Sequence, residues 1–548
     1  MPRPPGRRRL LALVAGTLLC GGLGVGLGSC SDAGVGVDPP DDRLFFPTGM
    51  LLDPRVAEDQ PARFLFVTNA NSDLVFNAAT VVAVDLDKFT KAWSDPAKVA
   101  EVGAEVDAKT PCRRNAITPQ LIECTEESFI RKDATVHLSS FTSVIRAWDR
   151  EPEKDGYQLG LLIPVRSEPS VATIDVDGDP AEDVEFRCDA GSDPDERDPL
   201  RCGRDRRIRY FRGDPDYLTL GREPANILIS PKSELPLAYI THSELAIVTL
   251  VRLTGLLEPG TSPDPKTPKP DPSLAPPRPK APTIVDYKQI ISVASPLQYG
   301  GYGLAERPCY PGNAPALATT ELGECARPLL YASYRRDQYL VRFTVEAPTP
   351  APDQFCVYAE QLETGDYPGA ILCEEQIVGI DVTYAGGFDP GSTTSGASIY
   401  GDIAFSSDGN SLYIVQTNPG ALLRLDTSLD ERGAVRDLPA GVVEVCQNPT
   451  EMLIFDDAIH GVPKSTEYAA ISCYGVGMIF IVDLSAFRVV KSLGTGAGPH
   501  HMVFDRARGY VYVANTLDAT LGVIDVSPIQ PTRFTEVARL GLQEPYTG

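Results

Sequence analysis

Histidine, methionine and tryptophan are scarce in this 548-residue chain, with five, five and two copies. So few imidazoles argue against a histidine-rich metal centre, since only His500 and His501 adjoin and His137, His242 and His460 stand far apart. No CxxC pair or paired Cys/His spacing occurs, which removes the usual zinc modules. A GxSxG elbow, an HExxH helix and a phosphate-cradling glycine loop are also missing, so nucleophile, zincin and nucleotide chemistry have no candidate. Positive charge is short as well, 50 Lys and Arg against 74 Asp and Glu. The resulting net charge of −24 repels nucleic acid and anionic membrane.

What the N-terminus does contain is an export plan. Arg3, Arg7, Arg8 and Arg9 precede an apolar stretch that begins at Leu10 and is too glycine-rich, and too poor in a following basic stop, for a membrane anchor. That stretch ends in Leu27, Gly28, Ser29 and Cys30, which resembles the lipobox of bacterial lipoproteins. The resemblance implies cleavage before Cys30, acyl chains on Cys30 and a soluble body held to lipid. Ser31 at the next position is similar to the pattern that permits outer-membrane sorting, on the periplasmic side or the cell surface. Residues 1–29 are thus expected to be a signal peptide and 30–42 a flexible tether. Loss of the four arginines takes the net charge to −28.

The remaining body, 43–548, repeats a hairpin seven times. Its first elements are "FVTN", "IPVR", "YITH", "YASY", "YIVQ", "AISC" and "YVAN", and a second alternating strand follows each, as "VVAVDLD" follows the first and "LGVIDVS" the last. A further strand precedes every hairpin, from "GMLLDP" to "HMVFDRA". With a looser fourth strand, each unit is a four-stranded antiparallel blade. The repeat step shortens from 97 residues between Asn69 and Arg166 to 42 between Cys473 and Asn515, so the early blades carry insertions. "FVTN" and "YVAN", with "xPxxMxFD" before and "IDV" after, resemble the YVTN-repeat and lactonase-like seven-bladed β-propellers. The resemblance implies an all-β seven-bladed propeller and leaves the chemistry open, because propellers host enzymes, binding modules and scaffolds alike.

Ten cysteines follow Cys30, and their order suggests sequential disulfides: Cys112 with Cys124, Cys188 with Cys202, Cys309 with Cys325, Cys356 with Cys373 and Cys446 with Cys473. Four of the five fall in turns of one face of the disc. The proline-rich run within 255–283 joins them as a loop insertion in the third blade. For Cys446 and Cys473 the register is a test, since one precedes the first strand of the sixth blade and the other ends its second.

Two constellations could carry chemistry. "DVDGDPAED" places Asp175, Asp177, Asp179 and Asp183 at the spacing of a calcium loop, although it also reads as an acidic turn after a strand. The other follows from the residue at the entry of each first strand, where the aligned positions are Gly49, Ser143, Asn226, Gly303, Asp402, Glu451 and His501. First strands line the channel of a propeller, so Asp402, Glu451, His501, its neighbour His500 and Asn226 are candidates at a channel mouth. Two carboxylates and an imidazole on consecutive blades could hold a metal or act as an acid/base pair, or could be ordinary polar residues at a wet rim. The leading expectation is a lipid-anchored, non-enzymatic scaffold for an envelope protein or extracellular ligand. The alternative is a lactonase-like or metal-assisted hydrolase. No cofactor other than calcium is suggested.

Overall fold

The computed structural model describes residues 36–149, 159–192, 198–208, 220–230, 237–245, 247–253, 283–289, 300–308, 329–334, 339–346, 371–379 and 399–542. The chain divides into two units, Met1–Gly36 and Val37–Gly548, and every sheet belongs to the second. Cys30 and the signal segment lie outside the described residues, as do Cys309, Cys325, Cys356 and nearly all of the proline-rich run.

Among the described residues seven sheets follow one another, each built on four antiparallel strands in sequence order. The first strands are Pro47–Leu52, Arg146–Asp149, Pro224–Ser230, Gly301–Glu306, Ile399–Phe405, Pro449–Asp456 and Pro499–Asp505. The hairpin tetrapeptides all fall on second strands, among them Phe64–Asn69, Leu237–His242 and Tyr510–Asn515. The expected partners form third strands, such as Ala79–Asp85 and Thr520–Asp525.

Central strands such as Phe64–Asn69, Ala79–Asp85, Leu159–Val165 and Thr520–Asp525 are buried on both faces, which explains their continuous apolar runs. In the second strand of sheet 1, Phe64 and Phe66 pack toward sheet 2 against Ile145, Leu161 and Ile174. Leu65 and Val67 face the other way, against Tyr512, Ala514 and Val523 of sheet 7. The period-2 pleat therefore splits one strand between two cores. Comparable clusters lie between sheets 2 and 3, 3 and 4, 4 and 5, 5 and 6, and 6 and 7. The succession returns on itself at the junction of sheets 7 and 1, where the Met50 amide donates to His501 Nδ1 at 3.2 Å.

The repeat also carries a polar connection between sheets. Thr68 Oγ1 donates to the Ser143 carbonyl at 2.8 Å, Thr241 to Tyr302 at 2.9 Å, Ser333 to Gly401 at 2.8 Å, Thr417 to Pro449 at 2.9 Å and Thr516 to Pro47 at 2.7 Å. Each donor sits near the end of a second strand, and each acceptor at the entry of the next sheet's first strand. The asparagine of the motif does a separate task. Asn69 Nδ2 donates to Thr80 Oγ1 at 2.8 Å and Asn515 Nδ2 to Thr520 Oγ1 at 3.2 Å, closing the turn into the third strand.

Three of the expected disulfides are formed, Cys112 with Cys124, Cys188 with Cys202 and Cys446 with Cys473. The last joins ends that the ladder brings together, because Pro449 pairs with Cys473. The insertion of sheet 1 does more than loop outward. Its helix Leu86–Ser94, capped by Asp85, buries Leu86, Phe89 and Ala92. Its strand Ile122–Cys124 then adds in parallel to Thr535–Leu540 of sheet 7, a second tie between the ends of the chain. Residues 37–42, expected to be flexible, are bonded to the body. Val37 already pairs with Phe76, the Asn77 amide donates to the Val37 carbonyl at 2.9 Å, and Asp41 Oδ1 lies 3.3 Å from His137 Nε2. These contacts make residues 37–42 part of the folded body.

Candidate functional site

The entry of the first strand is irregular in every sheet but the second. The ladder shifts between Pro449 and Met452 and between Pro499 and Met502, which turns the intervening side chains away from strict alternation. Where the backbones come closest the position is glycine: a Cβ on Gly303 would lie 2.8 Å from the Gly401 carbonyl. Where there is room, the position is polar.

One cavity of about 440 Å³ is lined by Asp402, Glu451 and His501 together, with Arg146, Glu58 and the apolar side chains of Met50, Met452 and Met502. The structure thus gathers the three residues that register alone placed on one arc. It adds Arg146 and Tyr302, which the sequence reading did not single out. Arg146 stands three residues beyond Ser143, the position aligned for sheet 2, and the sole signal was a cation inside the apolar run "SVIRAW". Tyr302 donates its hydroxyl to Glu451 Oε1.

The polar groups are committed to main-chain partners on neighbouring sheets. Asp402 Oδ2 accepts the Met452 amide at 3.3 Å, and its Oδ1 accepts the Ile403 amide at 2.9 Å. His501 Nδ1 accepts from Met50. Arg146 Nε donates to the Ile227 carbonyl at 2.9 Å, and one terminal nitrogen reaches Asn226 Oδ1 at 3.5 Å. Asn226 Oδ1 also accepts the Ile227 amide. His500 is half-buried, its Nε2 3.9 Å from Glu451 Oε1 and its ring edge-on to Tyr474.

This setting separates the protonation states. Burial, reinforced by the nearby Glu451 charge, pushes the Asp402 carboxyl far above the ordinary carboxylate range, against the opposing pull of Arg146. Burial holds His501 well below the usual imidazole range, helped by Arg146 and His500, so it is neutral and able to accept the Met50 amide. The arrangement can present a protonated Asp402, a second carboxyl group and a guanidinium to one small polar group.

The four acidic residues of the calcium-like run are not drawn together. Asp175 accepts from Arg206 at 2.7 Å, Asp177 and Asp179 cap local turns through the Gly178 and Ala181 amides, and Asp183 accepts from Arg131 at 2.7 Å. Among the described residues no group of three or more His, Cys, Asp or Glu side chains is placed to hold a metal ion, at this run or in the channel.

No family model and no curated protein matches the chain. Solved structures do. A periplasmic gluconolactonase from Pseudomonas aeruginosa is 12% identical with a TM-score of 0.38, over 80% of this chain and 84% of that one. The β-propeller domain of a Myceliophteria thermophila protein is 9% identical with a TM-score of 0.39, over 88% and 98%. A Lactobacillus plantarum protein is 8% identical with a TM-score of 0.41, over 82% and 86%. Similarities this distant carry no function across, and the all-β architecture rests on the sheets themselves.

Proposed function

We propose that the chain is a seven-bladed β-propeller held at the cell envelope through acylated Cys30, at the outer membrane, where it works as a non-enzymatic binding scaffold. Its channel cavity receives a small polar group of an extracellular ligand or an envelope protein. The observation that carries this reading is the bracing of the site: Asp402, His501 and Arg146 each hold a main-chain group of a neighbouring strand, so the cavity is a rigid frame of fixed donors and acceptors. Its volume of about 440 Å³ is in the range of small-ligand pockets.

A second reading on the same residues is a hydrolase of the lactonase kind. It is favoured by Asp402, whose carboxyl burial and the neighbouring Glu451 push toward the protonated form, the state a general acid requires. Gluconolactone, the substrate class in the name of the Pseudomonas aeruginosa neighbour, separates the two as a probe. Binding that raises the melting midpoint, is lost in Glu451→Gln and leaves the lactone intact supports the scaffold. Ring opening above the uncatalysed rate, abolished by Glu451→Gln and Asp402→Asn, would replace it with the hydrolase.

A further inference from the structure

The turns between second and third strands all emerge on one face of the ring of sheets, because each second strand runs toward that face and each third strand away from it. On three consecutive sheets these turns end in exposed apolar side chains. Val476 is 49% exposed on sheet 6, Leu517 is 52% exposed on sheet 7, and Leu74 and Val75 are 61% and 57% exposed on sheet 1. Sheet 7 is the neighbour of both others, through the cores it shares with sheet 6 and with sheet 1. The tips therefore form one arc.

The chain from Cys30 enters the folded body in the same arc. Val37 pairs with Phe76 inside the sheet 1 turn, and Phe76 packs edge-on against Phe45 at 4.8 Å between ring centroids. Val37 is itself 66% exposed. Val37 is seven residue steps from Cys30, so the sulfur that would carry the acyl chains can stand no farther than roughly 25 Å from Val37 at about 3.5 Å per step. A path around the body would have to cross the third and fourth strands of sheet 1, roughly 10 Å, and then run the length of a six-residue strand, about 20 Å, which together exceed that reach, so the tether is too short to hold the opposite face to lipid. A membrane reached by this anchor meets the arc first.

We infer that this face rests on a zwitterionic lipid surface, with the Leu74, Val75, Val476 and Leu517 turn tips seated among the headgroups. The inference rests on the acylation of Cys30 proposed above and says how the anchored body is oriented. Exposed apolar tips gain from leaving water at the headgroup boundary. Asp38, Asp73 and Asp518 stand beside the same turns, and the body is strongly acidic, so anionic headgroups are disfavoured. The cavity would then extend toward Glu58, in the connection between the first two strands of sheet 1, on the side turned away from lipid.

The test uses the full acylated chain in phosphatidylcholine vesicles brominated along the acyl chains. Leu517→Trp reports from the arc and Ile529→Trp from an exposed apolar site between third and fourth strands, on the other face, with Trp93 and Trp148 as a shared background. Emission of the indole introduced by Leu517→Trp should fall about twofold or more, as expected for a side chain at the depth of interfacial anchors, while the Ile529→Trp signal stays unchanged. Admixed phosphatidylglycerol should reduce the quenching. Val476→Trp replaces Leu517→Trp should the latter lower the melting midpoint. Equal quenching on both faces, or none from either arc variant in protein whose mass shows acyl chains on Cys30, overturns the orientation and leaves the anchor standing. Protein without acyl mass at Cys30 removes the anchor, and this inference with it.

Discussion

His242→Asn is expected to remove an acid-labile step from the fold. His242 ends the second strand of sheet 3 and is completely buried, with Nε2 2.8 Å from Thr249 Oγ1 and Nδ1 3.2 Å from the Arg222 carbonyl. Burial lowers its pKa to about 4, the carbonyl contacts opposing only in part. Above pH of about 6.5 the ring is neutral in folded and unfolded chains alike. As pH falls from there toward 4, the unfolded chain takes up a proton that the folded chain refuses, so stability is lost on acidification. At about 1.4 kcal/mol per pH unit, the fall from about 6.5 to about 4 amounts to about 3 kcal/mol. Asparagine at this position can repeat the Asn69 to Thr80 and Asn515 to Thr520 bonds and does not titrate. Denaturant midpoints followed by tryptophan emission at pH of about 7.5 and about 4.5 give the wild-type to variant difference at each pH, and other titrating groups cancel in the comparison. The difference should shift toward the variant by about 2–3 kcal/mol at the lower pH. A pH-independent difference would refute the burial argument.

Asp402→Asn should show the opposite pH dependence: the wild-type carboxyl keeps its proton in the fold while the unfolded chain ionises above pH of about 4, so the variant gains on wild type as pH rises from about 5 to about 8. A gain of about 2 kcal/mol, smaller than the shift alone implies because the side chain remains partly open to water, would be read from denaturation midpoints. Ser333→Ala and Thr241→Val each remove one hydroxyl that ties a sheet to the next and leave a carbonyl without it; each should cost about 1–2 kcal/mol, seen as a lower midpoint. Replacing Cys446 and Cys473 together by serine opens a cross-link between residues 27 apart and should cost about 3.5 kcal/mol by chain entropy, read as a lower denaturation midpoint than that of the wild type under oxidising conditions.

Much of the fold was legible in the sequence because a sheet buried on both faces writes itself as an apolar run of fixed length, ended by a polar turn signal. "FLFVTN" and "YVYVAN" announce strands wherever they stand, and the pairing of Cys446 with Cys473 followed from counting along them. The meaning of the motif letters was less accessible. Nothing local distinguishes the Thr68 hydroxyl, which reaches the Ser143 carbonyl of the next sheet, from a threonine bonded within its own strand. The calcium-like run shows the converse. Its spacing resembled a cation loop, but Arg206 and Arg131, distant in sequence, supply the positive charge that the aspartates face.

The strands, their order, the sites of insertion and the arc on which Asp402, Glu451 and His501 meet were all written in the chain, because each follows from local periodicity counted along it. Long-range contact alone brought Arg146 to that arc, engaged Tyr302 with Glu451 from two sheets away, and made residues 37–42 part of the body. Those outcomes depend on which backbones approach one another when the last sheet meets the first. Closure of that kind is a property of all seven sheets at once, and no stretch of sequence carries it alone.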